Sequence, residues 1–310
     1  LLLIPIILAV SFIVYALMDL APGSVIDQMI TDEMTQEDIK ELEHLYDLDK
    51  PMIYRYGKYM LHLVQGDLGV ADFTKISVWD TYITRLPNTL ILALAAFIFG
   101  SLFAIPLGIF AARHSGTLLD NGTTLFTMLG ISIPNFWLGL QLLLVFALYL
   151  GWLPAGGNES GLRSLILPAV CSGIGLMANG TRQTRSSMLD VLKADYLRTA
   201  RAKGVPERII IRKHALGNAW IPILTTFGGA LCHAIAGSAV VESVFAWQGV
   251  GLLLVNSVRQ RDVTMTLGCV IMTSILYSIL MLLVDLMYAF VDPRVKSRFS
   301  NSNRKRERTT

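Results

Sequence analysis

Residues able to do chemistry are few in this chain, and their spacing argues against catalysis. His233 follows Cys232 inside an apolar run. A metal centre needs three or four ligands at regular spacing, and no second pair accompanies this one. A packed or hydrogen-bonded His233 is expected, and no metal site. Three cysteines, Cys171, Cys232 and Cys269, sit in apolar stretches and read as small core residues. No phosphate-binding G-x-x-x-x-G-K-[ST] loop occurs, nor H-E-x-x-H, nor G-x-S-x-G. The chain is therefore expected to have no catalytic residues and to bind no ATP or other cofactor itself. What remains is polar chemistry inside apolar runs: Gln141, Asn179 and His233 lie nearest mid-run, and Pro134 and Asn135 interrupt GISIPNFWLG. A proline there removes a backbone hydrogen bond and predicts a kink. These five are pathway candidates, although helix–helix hydrogen bonding and packing explain such residues equally well.

The elements that would position them are membrane helices. Hydrophobic residues make up 53% of the 310 and charged ones only 16%, against about 25% charged in soluble domains. Crossing a hydrocarbon core takes about 20 mostly apolar residues. Six stretches qualify: 1–20, 89–112, 123–150, 165–187, 219–241 and 265–291. The first is too long for a signal-peptide core and shows no basic flank, so a retained span is expected. The sequence opens on Leu1, so a short preceding piece is expected too. The fifth, TTFGGALCHAIAGSAVV, is rich in small residues that favour close helix approach. Asp19, Glu242 and Asp285 fall near span ends, and Arg182 and Arg185 toward one end of the fourth. No row of carboxylates crosses the middle, as a proton-coupled carrier would often show.

Cations decide the orientation. With six spans, one face carries 17 Lys and Arg, nine of them in 182–213 and seven in the tail from 294. The other face has nine, mostly in the long segment 21–88, where charge has little topogenic weight. The positive-inside rule places 188–218, both termini and the basic tail 292–310 in the cytoplasm. Segment 21–88, with twelve acids and six bases, then lies outside. Thr35 and Asp38 have capping-box spacing ahead of a short helix that closes at Pro51, and PMIYRYGKYMLHLV reads as a second, amphipathic helix. Together they form an extracytoplasmic cap, either a solvated acidic surface or a docking surface.

Segment 194–222, ADYLRTARAKGVPERIIIRKHALGNAWIP, is the one cation-rich break in the apolar core region 89–291. DYLRTARAK predicts a short helix, Gly204 a sharp turn, and Pro206 the start of a second helix that runs into span five. Its bases could simply reach anionic headgroups. Tyr196, Ala200 and Gly204 among the cations favour docking into a protein groove.

These residues resemble the permease subunits of ATP-binding-cassette importers, in the dipeptide/oligopeptide/nickel branch. Arg198-Thr199-Ala200 occupies the triplet of the family's coupling loop, the EAA motif, and Gly204 its glycine; RTARAKG is the form of the peptide/nickel branch. His214-Ala215-Leu216-Gly217 stands where other importers have Ile-x-Leu-Pro, with a proline later at Pro222. Further fragments in family order include QGDLG (65–69), RLPNTL (85–90), SIPNFWLG (132–139), GWLPAGG (151–157) and VVESVFAWQGVG (240–251). Gln248 replaces the usual proline of F-x-W-P-G, a change expected to loosen that outer loop.

The resemblance implies an all-α integral membrane protein with six transmembrane helices, the type I importer (MetI-like) permease fold, in a bacterial inner membrane. It implies a pairing with a second permease, two ATPase subunits that bind ATP and magnesium, and an external substrate-binding protein; no nucleic acid is involved. Tyr196, Arg198, Thr199, Ala200, Lys203, Gly204, Arg208 and Arg212 would then form the ATPase-coupling surface, and the cargo would be a di- or oligopeptide or a nickel chelate. The competing reading is an ATP-independent carrier or channel whose basic loop only contacts lipid.

Overall fold

Apolar runs become helices in a bilayer because each backbone polar group must be satisfied within its own segment. The computed structural model describes residues 3–30, 34–72 and 74–291 and is helical throughout, apart from an isolated bridge between Val70 and Ser77. The basic tail 292–310 lies outside the described residues. Five helices are long and apolar enough to cross a membrane: Leu3–Leu20 (α1), Val78–Arg113 (α4), Leu162–Leu192 (α7), Glu207–Ala236 and Val263–Tyr288. The sixth candidate is a bent pair, Leu118–Ser132 (α5) and Asn135–Tyr149, with 98° between its halves. The latter half begins as Asn135–Leu142 (α6) and continues as wide π-type turns, Leu143–Tyr149. Among the described residues there are thus five candidate spans, or six if the bent pair counts as one.

Two boundaries correct the sequence reading. Stretch 123–150 is not a kinked helix, because Ile133 and Pro134 both leave helical geometry with ψ of 123° and 135°. Pro134 blocks the helical conformation of the residue before it, so the helix stops and α6 starts afresh. Nor is 219–241 one helix. Its helix runs Glu207–Ala236 and is followed, after Gly237 and Ser238, by the separate short helix Ala239–Val244.

The chain forms two compact units. The first holds the residues up to Leu90 together with Ala246–Ser278; the second holds Ile91–Phe245 and the residues from Ile279 onward. In the first, Gln36–Leu45 (α2) and Met52–Val64 (α3) are the two expected cap helices. The Thr35 capping box is present: Asp38 N–H donates to Thr35 Oγ1 at 3.3 Å and Thr35 N–H to Asp38 Oδ2 at 2.8 Å. Helix α3 is pinned to α1 by Arg55 on Asp19 (2.5 Å) and by Tyr56 beside Ser11 (3.0 Å). The unit's interior gathers Leu68, Ala71, Val78, Tyr82, Val250, Met265 and Cys269.

In the second unit α7 is central. It packs on α5 and on Leu216–Ala236 (α10), the last part of the Glu207–Ala236 span. Small residues set its spacing from α4 and α10. A Cβ on Gly173 would lie 2.6 Å from the Phe99 ring, and one on Gly180 2.7 Å from Phe227. Glycines at such crossings let backbones approach, which is how membrane helices gain packing energy. In the small-residue run of span five, Gly228 meets Tyr288 and Val284, whereas Gly229 faces open space.

Candidate functional site

Asp195–Ala202 (α8) follows α7 after a two-residue break and carries the predicted coupling residues. Its C-terminus is a Schellman motif. Gly204 N–H donates to Arg201 O at 2.9 Å and Val205 N–H to Ala200 O at 3.2 Å, with Gly204 at φ +77°. That left-handed conformation is cheap for glycine and strained for most other residues. Pro206 then caps the next helix, Glu207–Ile209 (α9), which passes through wide turns at Ile210–Ala215 into α10. The second half of the segment is therefore the first part of a span rather than a separate surface helix.

Three contacts fix the turn, and the motif match named none of them. Leu197 is fully buried and anchors α8 in the unit's core beside Ile210, Ile211 and Ala215. Arg201 bridges the turn with two hydrogen bonds to Glu207, at 3.0 and 3.2 Å. The Tyr196 hydroxyl accepts from Asn218 Nδ2 at 3.0 Å, tying α8 to α10. The signal for Leu197 was available: among charged neighbours it is the one large aliphatic residue of α8.

Of the eight predicted coupling residues, Tyr196, Arg198, Thr199, Lys203, Gly204, Arg208 and Arg212 are exposed. Ala200 instead packs inward against the core with Val205 and Leu216. The outward face is thus a ring of cations around an aromatic and the exposed Ile209, mounted on a buried aliphatic base. It can dock a groove that carries carboxylates and an apolar floor.

A second anchor lies about two turns before the end of α7. Arg185 donates to Asp120 through Nε at 2.5 Å and Nη2 at 2.7 Å, and Gly116 N–H caps the same carboxylate at 3.0 Å. Asp120 is buried. This bidentate pair fixes the start of α5 against the part of α7 that leads to the turn.

The five pathway candidates are dispersed. Pro134 and Asn135 are exposed at the bend, where Asn135 O accepts from Cys171 Sγ at 3.3 Å. Gln141 is half-buried on α6; Asn179 is exposed on α7 and His233 on α10. Asn179 donates to Gly175 O (3.0 Å) and accepts from Arg182 (3.2 Å).

In the first unit, two of the recognised fragments dock on each other. Trp247 Nε1 donates to Asn88 O at 2.9 Å, Asn88 Nδ2 to Gln248 O at 2.7 Å, and Val250 N–H to Thr89 Oγ1 at 2.8 Å. Arg85 donates to the Gln248 side chain. Gln248, expected to loosen this loop, gives Arg85 a side-chain acceptor that proline would lack.

Residues 104–297 match the family model described as "Binding-protein-dependent transport system inner membrane component". The chain belongs to this family. It is 39% identical to the oligopeptide transport system permease protein AppB of Bacillus subtilis, over 94% of this chain and 96% of that one. The di/tripeptide permease DppB of Pseudomonas aeruginosa is 35% identical (95% and 96% covered), and the glutathione permease GsiC of Escherichia coli 36% (95% and 96%). A chain of the MetNI methionine ABC transporter in an inward-facing conformation shares the fold, with a TM-score of 0.60 at 17% identity over 68% of this chain and 96% of that one. This is a multi-pass membrane permease of the ATP-binding-cassette importer class with the type I fold.

Proposed function

We propose that the chain is one of two permeases in an ATP-driven peptide importer and that α8 with its turn is the lever moved by an ATPase subunit. The exposed cations Arg198, Lys203, Arg208 and Arg212 around Tyr196, set on the buried Leu197, carry this reading: they form a rigid projection suited to an acidic cleft. Two ATPase subunits would bind ATP and magnesium, and this chain none. The excess of cations on 182–213 supports a cytoplasmic position for the turn, and the acidic segment 21–88 would face an extracytoplasmic binding protein. ATP-driven closure would displace the turn and, because α9 and α10 run on without a break, tilt the span with it. Pro134, Asn135, Gln141, Asn179 and His233 are proposed to border the route. The named relatives carry oligopeptides, di- and tripeptides and glutathione, which favours a short peptide over a nickel chelate.

The test is reconstitution with the second permease, ATPases and binding protein in proteoliposomes. ATP-dependent uptake of labelled trialanine is expected, together with co-purification of the ATPases through this chain. Uptake by this chain alone without ATP would overturn the reading.

A further inference from the structure

The faces that α4 and α7 leave open in the second unit have opposite character. Every exposed residue of α4 from Ile91 to Phe110 is apolar, as a lipid-facing surface requires. Between Cys171 and Met188, the exposed residues of α7 are Asn179, Arg182 and Ser186, all polar and spaced to share one face. This face falls on Leu162–Leu192, a helix long and apolar enough to cross a membrane. Gly180 packs on Ala104, and Thr181 and Thr184 pack on Gly108. Those α4 positions precede its end at Arg113 by five to nine residues, about 8–14 Å along the axis.

Arg182 is the unusual member. Helical side chains lean toward the N-terminus of their helix, and its Nη2 reaches back to Asn179, one turn deeper, rather than out to the interface. Among the described residues its guanidinium has no carboxylate partner. A charge in that position is expensive against lipid, and such residues face water-filled cavities or partners. Arginine also presents five donors in a fork that fits a carboxylate.

We propose that Arg182, oriented by Asn179, is the carboxylate-recognition point of the translocation route and takes the C-terminal carboxylate of the peptide as it passes. This rests on the peptide-importer reading above and names the chemistry by which the membrane chain itself would discriminate cargo.

The test uses the assembled transporter with Arg182→Cys, in which the native cysteines are buried. Uptake of trialanine is expected to fall about tenfold, the loss of one charge-assisted pair. Treatment with the cationic aminoethyl methanethiosulfonate should restore at least half of it, and the neutral ethyl reagent should not. Unchanged uptake or equal effects of the two reagents would overturn the proposal. So would loss of the second permease on purification, which would make Arg182 an inter-subunit contact. Failure of the unsubstituted complex to import trialanine would instead strike the peptide reading itself, and the proposed recognition point would fall with it.

Discussion

Leu197 and Arg198 are sequence neighbours with opposite environments, and they separate the two tasks that the proposed coupling role would set this turn. Leu197 is fully buried, whereas the Arg198 side chain is 80% exposed with only a 3.8 Å contact to Asp195. Truncating Leu197 to alanine removes core contacts and should cost about 2–5 kcal/mol locally. Hydrogen exchange across 195–205 should rise accordingly. Arg198→Ala should leave that protection unchanged, since exposed ion pairs contribute about 0–1 kcal/mol, yet should weaken capture of the ATPase. Protection lost equally in both variants would sink the division into base and docking face. Composition made the docking face legible, because cations in an apolar chain stand out. Beyond Leu197, the anchoring contacts were not legible. Asp120 and Arg185 are 65 residues apart, and a pair at that separation leaves no local pattern. Breaking it with Asp120→Asn should destabilise the second unit by about 3 kcal/mol, at the low end for a buried pair because Arg185 is 31% exposed. A detergent-solubilised melting curve would register the loss, and an unshifted midpoint would show the pair to be dispensable.

At the scale of elements, the turn and the cap each make a sharper claim than their sequences did. Nothing lies within 4 Å of a Cβ placed on Gly204, so the strain of a substitution comes from φ of +77° alone. Gly204→Asn tolerates that conformation better than Gly204→Ala. If backbone geometry is the whole requirement, Asn should support uptake and Ala should impair it. If the ATPase approaches the backbone closely, both should fail. Uptake rates normalised to protein level distinguish the two outcomes, and full activity of both would remove any special role for the glycine. In the cap, half-buried Asp72 accepts from Thr264 N–H (3.1 Å) and Thr264 Oγ1 (2.9 Å) at the start of the last span. Burial, and then the nearby Asp262 carboxylate, hold its pKa above the ordinary carboxylate value. A folded-state pKa that is raised contributes stability present below the unfolded value, about 3.9, and lost as pH rises through the folded one. Resistance of the cap to proteolysis should therefore increase as pH is lowered from neutrality, and Asp72→Asn should flatten that dependence. The capping box at Thr35 was readable because its partners are three residues apart. The docking of 85–90 on 246–250 was not, because it joins segments about 160 residues apart through side chains that no periodicity reveals.

At the scale of the whole molecule, the open question is whether the bent pair crosses the membrane, since a re-entrant loop would reverse the side of everything that follows it. Hydropathy suggested one span and gave no hint of a 98° bend, because apolar character persists on both sides of Pro134. Contacts along α7 decide the matter. Asp120, at the start of α5, meets Arg185; a Cβ on Gly130 would touch Ala178 and Ile174 at 3.4 Å; and Asn135, just past the bend, meets Cys171. The path from Arg185 to Cys171 covers 14 residues of α7, about 21 Å of helix axis. Most of a hydrocarbon core is thus traversed before the chain bends. Beyond the bend the chain does not return toward Arg185. Gly139 packs on Phe245 and Cys171, and Gly157 N–H donates to Phe245 O at 2.9 Å. These contacts favour a broken span, which predicts Thr117 and Glu159 on opposite faces. Single cysteines introduced at Thr117 and at Glu159 test this, because the three native thiols are buried. A membrane-impermeant maleimide added to intact cells should label Glu159→Cys directly and Thr117→Cys only after permeabilisation. Labelling of both from the same side would make the pair re-entrant, leave five crossings, and reverse the face on which the coupling turn emerges relative to Thr117.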